Sequence, residues 1–423
     1  MFRALSHRNF RLFFAGAFFS NAGTWMQTVA QSWLVLQLTD SGTWLGVDIF
    51  VATAPGLVLT LVGGVIADKV DRKRLLIYTQ AGAGASALAL GALVWAGAIR
   101  WEGAGRRPGD VWMVLLLSFV TGCCWAISGP AYQAITVDLV EREDLANAIA
   151  LNSSQFQLAR VAGPTLAAVT MKVLGMAGCF FANGLSYVAI VAALARVRFK
   201  RRGAAAPLEP VGPSEGERVE VARRSMWNDL AEGFRYVRGR PRVGMVLLCS
   251  TVVCLFGSPY LVLLPLFARN VYGWDEAGLS LLMGTAGAGA LVGALGLAYL
   301  GEVRRKGLFL LASMLSGGTC ITGLASVTTP RAAIPLLFAT GMSMVTFFAL
   351  GNTLVQQLVT DEMRGRVMSM WLLTFIGTAP FGSFLSGAAA DRFGPRPTLA
   401  ACGLVVLLFG LTAGLVNPRL REM

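Results

Sequence analysis

Apolar runs of about 20 to 28 residues alternate with short polar interruptions along nearly the whole chain, and each run is long enough to cross a hydrocarbon layer as a helix. Twelve such runs, at 11–37, 43–67, 75–99, 111–138, 145–170, 176–196, 243–270, 276–300, 307–328, 332–357, 365–390 and 398–416, predict an all-α polytopic membrane protein. Hydrocarbon cannot satisfy open backbone groups, and no alternation of apolar and polar positions of the kind a barrel needs is present, so helices are the expected spanning element.

Composition agrees. Of 423 residues, 55% are hydrophobic and 14% charged, against about 45–50% and about 25% in a soluble domain, and the mean hydropathy is +0.62. Twelve spans put both termini on one side, and 27 of the 36 Lys and Arg residues then fall on that side, eight on the other, with Arg160 inside a span. The positive-inside rule makes that side the cytoplasm and the bilayer a cell (inner) membrane. The net charge of +13 therefore sits at helix ends facing anionic lipid, which argues against nucleic acid as a partner. The basic start "MFRALSHRNFR" resembles a signal-peptide n-region, but the apolar run behind it is longer than a cleavable one and reads as a permanent span. Seven cysteines, all inside spans, and a single histidine, His7, offer no zinc-site pattern, so the cysteines read as small packing residues and no cofactor is expected.

Residues 1–198 and 243–423 each hold six spans, and the linker 199–242 opens with "FKRRGAAAPLEPVGPSEGERVEVARR", too polar to bury a core. Near 225–239 the linker places Trp227, Leu230, Phe234 and Val237 on one helical face, predicting an amphipathic helix that lies along the membrane surface or on the protein's own loops. A weak repeat relates "AITVDLVEREDLANAIALN" after span four to "TLVQQLVTDEMRGRVMSMW" after span ten. Two six-helix bundles rocking about a site near the membrane midplane, as in secondary transporters, fit this organisation.

Between spans two and three stands "GGVIADKVDRKR", where Gly64, Asp68, Arg72 and Lys73 resemble the loop motif of the major facilitator superfamily. The likeness extends to "NFRLFFAGAFFSNAGTWM", "LVEREDLANAIALNSSQFQLARVAGP" and "LVTDEMRGRVMSM", which resemble the branch that holds the enterobactin exporter and related secretion and multidrug permeases. The resemblance implies that Asp68 meets the start of helix eleven near Arg364 in an outward-open state, and that Arg72 bridges Asp68 to Asp138 as an inner gate. It also implies export and proton coupling. A second copy, "GAAADRFGPRP" from Gly387, falls on the outer face and reads as a turn and helix cap, with Pro395 and Pro397 stopping any continuation.

Arg160 lies about 22 Å along helix five, too deep to be a helix-end side chain, and should face a wet cavity or a partner. Helix four lacks the basic residue of proton-coupled drug antiporters, which leaves Asp48 and Arg160 as candidates for coupling. Asn21, Thr24, Trp25, Thr28 and Gln31 of helix one, Trp125 and Tyr132 of helix four, Phe256 and Tyr260 of helix seven, and Asn352 and Gln356 of helix ten are the expected lining of a substrate site. With Arg160 as its positive centre, such a site suits an amphipathic, even anionic, organic molecule. No Gly-Lys-Ser/Thr phosphate loop and no catalytic constellation appear, against an ATP-driven pump or an enzyme. The expected activity is export of a siderophore-like or drug-like molecule by a monomer, with protons as the coupling ion. A lipid translocator or a non-transporting scaffold are the alternatives.

Overall fold

The computed structural model describes residues 3–60, 70–101, 103–197, 232–301, 303–417 and 421, and all regular structure among them is helical. The long helices are α1 Arg8–Thr39, α2 Gly42–Thr60, α3 Arg72–Trp95, α4 Val111–Leu139, α5 (145–174) and α6 (176–196), then α7 Pro241–Val271, α8 Glu276–Leu300, α9 Lys306–Ser326, α10 Pro330–Leu358, α11 Asp361–Phe393 and α12 Pro395–Val416. Ten described stretches are long and apolar enough to span a bilayer, one of them holding both α5 and α6. Gly175 separates those two with φ 70°, a left-handed value that suits glycine. Cys179 Sγ approaches the Ala167 carbonyl to 3.9 Å, whereas twelve residues of straight helix would separate them by about 18 Å, so α6 folds back along α5. With α1, which is long enough but less apolar, the long helices among the described residues number twelve.

Local sequence sets several of the ends. The Asp71 carboxylate accepts from the Lys73 and Arg74 amides and caps α3, and Asp275 does the same for α8 through the Gly278 amide. Gly394, with φ 89°, turns the chain from α11 into α12, and Pro395 occupies the first position of α12, where its missing N–H costs nothing. Pro395 thus starts a helix, in addition to ending the previous one.

The two six-helix halves meet where α2 touches α11, α5 crosses α8, and α1 approaches α7 and α8. On the face away from the termini this seam is tight. The Arg269 guanidinium of α7 pairs with Asp40 and also donates to the Leu36 carbonyl at 3.3 Å. Asp391, in the second motif copy, has a larger part than the turn expected of it. Its carboxylate accepts from the Ser41 hydroxyl (2.5 Å), the Gly42 amide (2.6 Å), and the Thr43 amide and hydroxyl (2.9 and 2.5 Å), gripping the start of α2 from the other half. A carboxylate at a helix N-terminus meets unpaired N–H groups and the positive end of the helix dipole.

On the terminus-bearing face the ion pairs and side-chain hydrogen bonds named among the described residues run within each half. Arg72 reaches Asp138 at 3.1 Å, and the Lys73 ammonium donates to the Ala195 and Val197 carbonyls at 2.9 and 2.8 Å, tying α3 to α4 and α6. His7 meets Asp144 at 2.8 Å. Gly64 and Asp68 lie outside the described residues. Arg364 pairs with Asp361 on its own helix.

Of the linker helix expected near 225–239, residues 232–238 are described and helical, and they rest on the start of α11. Glu232 pairs with Arg366 at 2.7 Å and Gly233 sits against Met370, while Phe234 points away, 63% exposed. Trp227 and Leu230 lie outside the described residues. Because the Glu232–Arg366 pair is half-exposed, Glu232→Ala should cost no more than about 1 kcal/mol, a small change in the thermal unfolding midpoint of the purified protein.

Candidate functional site

A cavity of about 950 Å³ lies between the halves. α1 supplies one wall because its polar residues recur at helical spacing, and Thr24, Trp25, Thr28, Gln31 and Ser32 all line it. α2 adds Asp48 and Thr53, α4 adds Ser118, Thr121, Trp125 and Gln133, and α6 adds Asn183 and Tyr187. Among the described lining residues, the second half contributes only apolar side chains: Leu261 and Val262 of α7, Met283 of α8, and Leu372, Phe375, Ile376, Ala379 and Pro380 of α11. One wall can therefore hydrogen-bond a solute and the other can only pack against it.

Asp48 is buried in the polar wall, 7% exposed. Gln31 Nε2 donates to both carboxylate oxygens, at 3.0 and 2.8 Å, and Ser118 Oγ lies 2.6 Å from one of them. Behind Gln31 the amides continue: Gln27 Nε2 donates to Gln31 Oε1 (3.2 Å), and Asn183 Nδ2 donates to Gln27 Oε1 (2.6 Å). Ser186 Oγ lies 3.0 Å from Asn183 Oδ1. The chain of donors points at the carboxylate and joins α1, α2, α4 and α6. A buried carboxylate needs such partners, and all of these are neutral.

Of the expected lining, the structure gathers Thr24, Trp25, Thr28, Gln31 and Trp125 around the cavity, together with Asp48, which was expected as a coupling residue. The remainder lie elsewhere. Arg160 sits over the ring of the wall residue Trp25, 5.3 Å from its centroid, and is not among the described residues that line the cavity. Tyr260, 2% exposed, is held in the core beside Arg160. Asn21 is buried within the helix bundle, and Tyr132 packs at a tilt against Phe13 with centroids 5.3 Å apart. Phe256 lies in a wide turn of α7 packed against the core, and Asn352 and Gln356 bond each other at 3.2 Å. The second half thus faces the cavity through α11 instead of α10, and the positive centre expected of the site is outside its wall.

Sequence reading missed Gln27, Ser118 and Asn183. Each is an isolated polar residue inside an apolar run, as Ser118 is in "VLLLSFV", and in a membrane span such a residue must find a partner. That signal was present in the sequence.

Comparison with known proteins narrows the class. The chain aligns over 418 residues at 23% identity with the staphyloferrin A transporter of Staphylococcus aureus, covering 97% of each. It aligns at 24% identity with macrolide efflux protein A of Streptococcus pyogenes (84% of this chain, 82% of that one) and with the enterobactin exporter of Salmonella typhimurium (99% and 94%). A bacterial homologue of the human lysosomal transporter Spinster, solved in an inward-facing and unoccupied conformation, superposes with a TM-score of 0.71 at 13% identity, over 98% of both chains. Residues 1–423 match the model of one family throughout, and the chain belongs to that family, the transmembrane secretion effectors, a branch of the major facilitator transporters and not a family of enzymes.

Proposed function

We propose that the protein is a secondary active exporter that moves an amphipathic organic molecule out of the cytoplasm by alternating access, driven by protons, with Asp48 as the coupling carboxylate. One observation carries this reading: a drug-sized cavity between two helical halves, sealed by Asp391, Arg269 and the α2–α11 contact on the face away from the termini, with a buried carboxylate in its wall. The excess of basic residues on the terminus-bearing side supports a cytoplasmic location for both termini, which makes the observed state inward-facing. Siderophore and macrolide transport by the relatives supports an organic solute of this size.

The reading is tested in inverted membrane vesicles offered a macrolide, a catecholate siderophore, a cationic dye and a lysolipid, with the lumen made acidic. Accumulation of at least one compound that collapses on adding a protonophore is the expected result. Vesicles that hold folded protein yet accumulate none of the four would refute the exporter reading in favour of a scaffold. Accumulation indifferent to the gradient would remove the proton from it.

A further inference from the structure

We infer that Gly129 of α4 opens a substrate notch in the cavity wall, where a flat aromatic ring of the solute stacks on Trp125 and meets the Gln133 amide on its other side. This rests on the transport reading above and names a ring-bearing solute as its substrate class.

One missing side chain carries the inference. Among the described residues, three glycines line the cavity: Gly56, Gly122 and Gly129. A Cβ at Gly122 would lie 2.2 Å from the Ala52 carbonyl oxygen, so that glycine lets α2 and α4 touch, and a Cβ at Gly56 would lie 3.2 Å from Ile376 of α11. A Cβ at Gly129 would meet none of the described residues within 4 Å. The backbone there is helical and outside the left-handed region. Neither packing nor conformation calls for glycine at 129, and an interior glycine disfavours a helix more than any residue except proline. Pro130 follows, and a proline crowds the side chain before it. Leu264, Ile334 and Ala379 nevertheless stand directly before prolines inside α7, α10 and α11, so these helices accept a side chain in that place. What the glycine at 129 leaves is room in the wall.

The flanks of that room set its chemistry. Trp125, Gly129 and Gln133 follow at intervals of four, so they stand in one column on the cavity face of α4, about 6 Å apart along the axis. The indole is anchored: its N–H donates to the Tyr187 hydroxyl of α6, which lies 3.3 Å from Thr24 Oγ1 of α1. Trp125 keeps 37% of its surface exposed, and Gln133 is exposed as well. A gap one side chain deep, between a fixed ring and an exposed amide, takes a flat ring against the indole and a hydroxyl or carbonyl substituent against the amide. A ring-free body of the same bulk gains neither contact.

The test is binding of rhodamine 6G, a fused-ring dye, to the purified full-length protein in detergent, followed by the dye's fluorescence anisotropy, with tetrabutylammonium, a ring-free ion of the same charge, as competitor. The dye is expected to bind at least about tenfold tighter than tetrabutylammonium, and failure of the latter to compete meets the same expectation. Gly129→Leu, which fills the gap, and Trp125→Leu, which removes the stacking face, should each weaken dye binding by about tenfold, and Gln133→Leu by about fivefold. Gly129→Ala adds one methyl group in open space and should change the affinity by less than about threefold. That variant separates the notch from the proline. Crowding before Pro130 returns with any Cβ, so equal losses in Gly129→Ala and Gly129→Leu overturn the inference. It is overturned too by no dye binding to the unaltered protein, by equal affinity for the two ions, or by unchanged dye affinity in folded Gly129→Leu. If Gly129→Leu does not fold, Trp125→Leu decides, and dye affinity unchanged in it overturns the inference. Dye binding without gradient-driven transport in vesicles would refute the exporter reading alone, and transport by a protein that does not bind the dye would refute the notch alone.

Discussion

Gly387→Val is expected to hold the protein open on the face away from the termini. A Cβ at position 387 would lie 2.1 Å from the Gly42 carbonyl oxygen and 2.8 Å from its carbon, and a Cβ at Gly46 would lie 2.5 Å from the Ser383 oxygen. α11 and α2 therefore touch backbone to backbone, and no side-chain rotation relieves a valine there. The helices belong to different halves, so a transporter that alternates has a second state in which they part and the collision disappears. Overpacking of a closed contact costs about 1–3 kcal/mol, and the Asp391 hydrogen bonds one turn away are lost with it, so the closed population should fall roughly a hundredfold. A reporter cysteine at Leu45, which is 3% exposed at the closed end of the cavity, should react correspondingly faster with a membrane-impermeant maleimide added to that face. Asp391→Ala should move the same rate by only about tenfold, because the carboxylate is solvent-exposed and its bonds are worth less there. Unaltered labelling in both variants would mean that this contact does not control access.

Gly289→Val presents the same collision with a different outcome. Its Cβ would lie 1.9 Å from the Phe338 carbonyl oxygen, and a Cβ at Gly341 would lie 1.9 Å from the Ala286 oxygen, so α8 and α10 are reciprocally interlocked. Both helices belong to the second half, and rocking of the halves does not separate them. Close approach of small residues is what holds helices together where lipid removes the hydrophobic drive. With no open state to relax into, the variant must distort the bundle, at a cost of more than about 3 kcal/mol, in the range where single substitutions prevent folding. Loss of the monodisperse species in size-exclusion chromatography is the expected result. A variant with the yield and melting midpoint of the unaltered protein would show that the two backbones do not touch.

The contrast shows where sequence reading reaches its limit. The small-residue run "GTAGAGALVGALG" is legible as a packing stripe, and "GAAADRFGPRP" as a helix end. Nothing in either string says that Gly289 meets a helix of its own half while Gly387 meets the other half. Asp391 looks like a turn residue because its partners, Ser41 to Thr43, lie about 350 positions earlier. The polar face of α1 was legible, since Thr24, Thr28 and Gln31 recur at helical spacing and point one way whatever the helix packs against. The second half of the lining was not: Asn352 and Gln356 have the same spacing on α10, yet they bond each other away from the cavity.

By itself the sequence determined the all-helical, membrane-spanning class and the family. These depend on local quantities, the length and polarity of each run, which the bilayer reads one segment at a time. Tertiary structure alone decided that Asp48 stands within the cavity wall and Arg160 over the Trp25 ring, that α11 and not α10 completes the wall, and that Asp391 closes the seam. Each of these depends on how one helix is rotated against another. That rotation is set by backbone approach at a few glycines and by a handful of polar contacts between residues far apart in the chain.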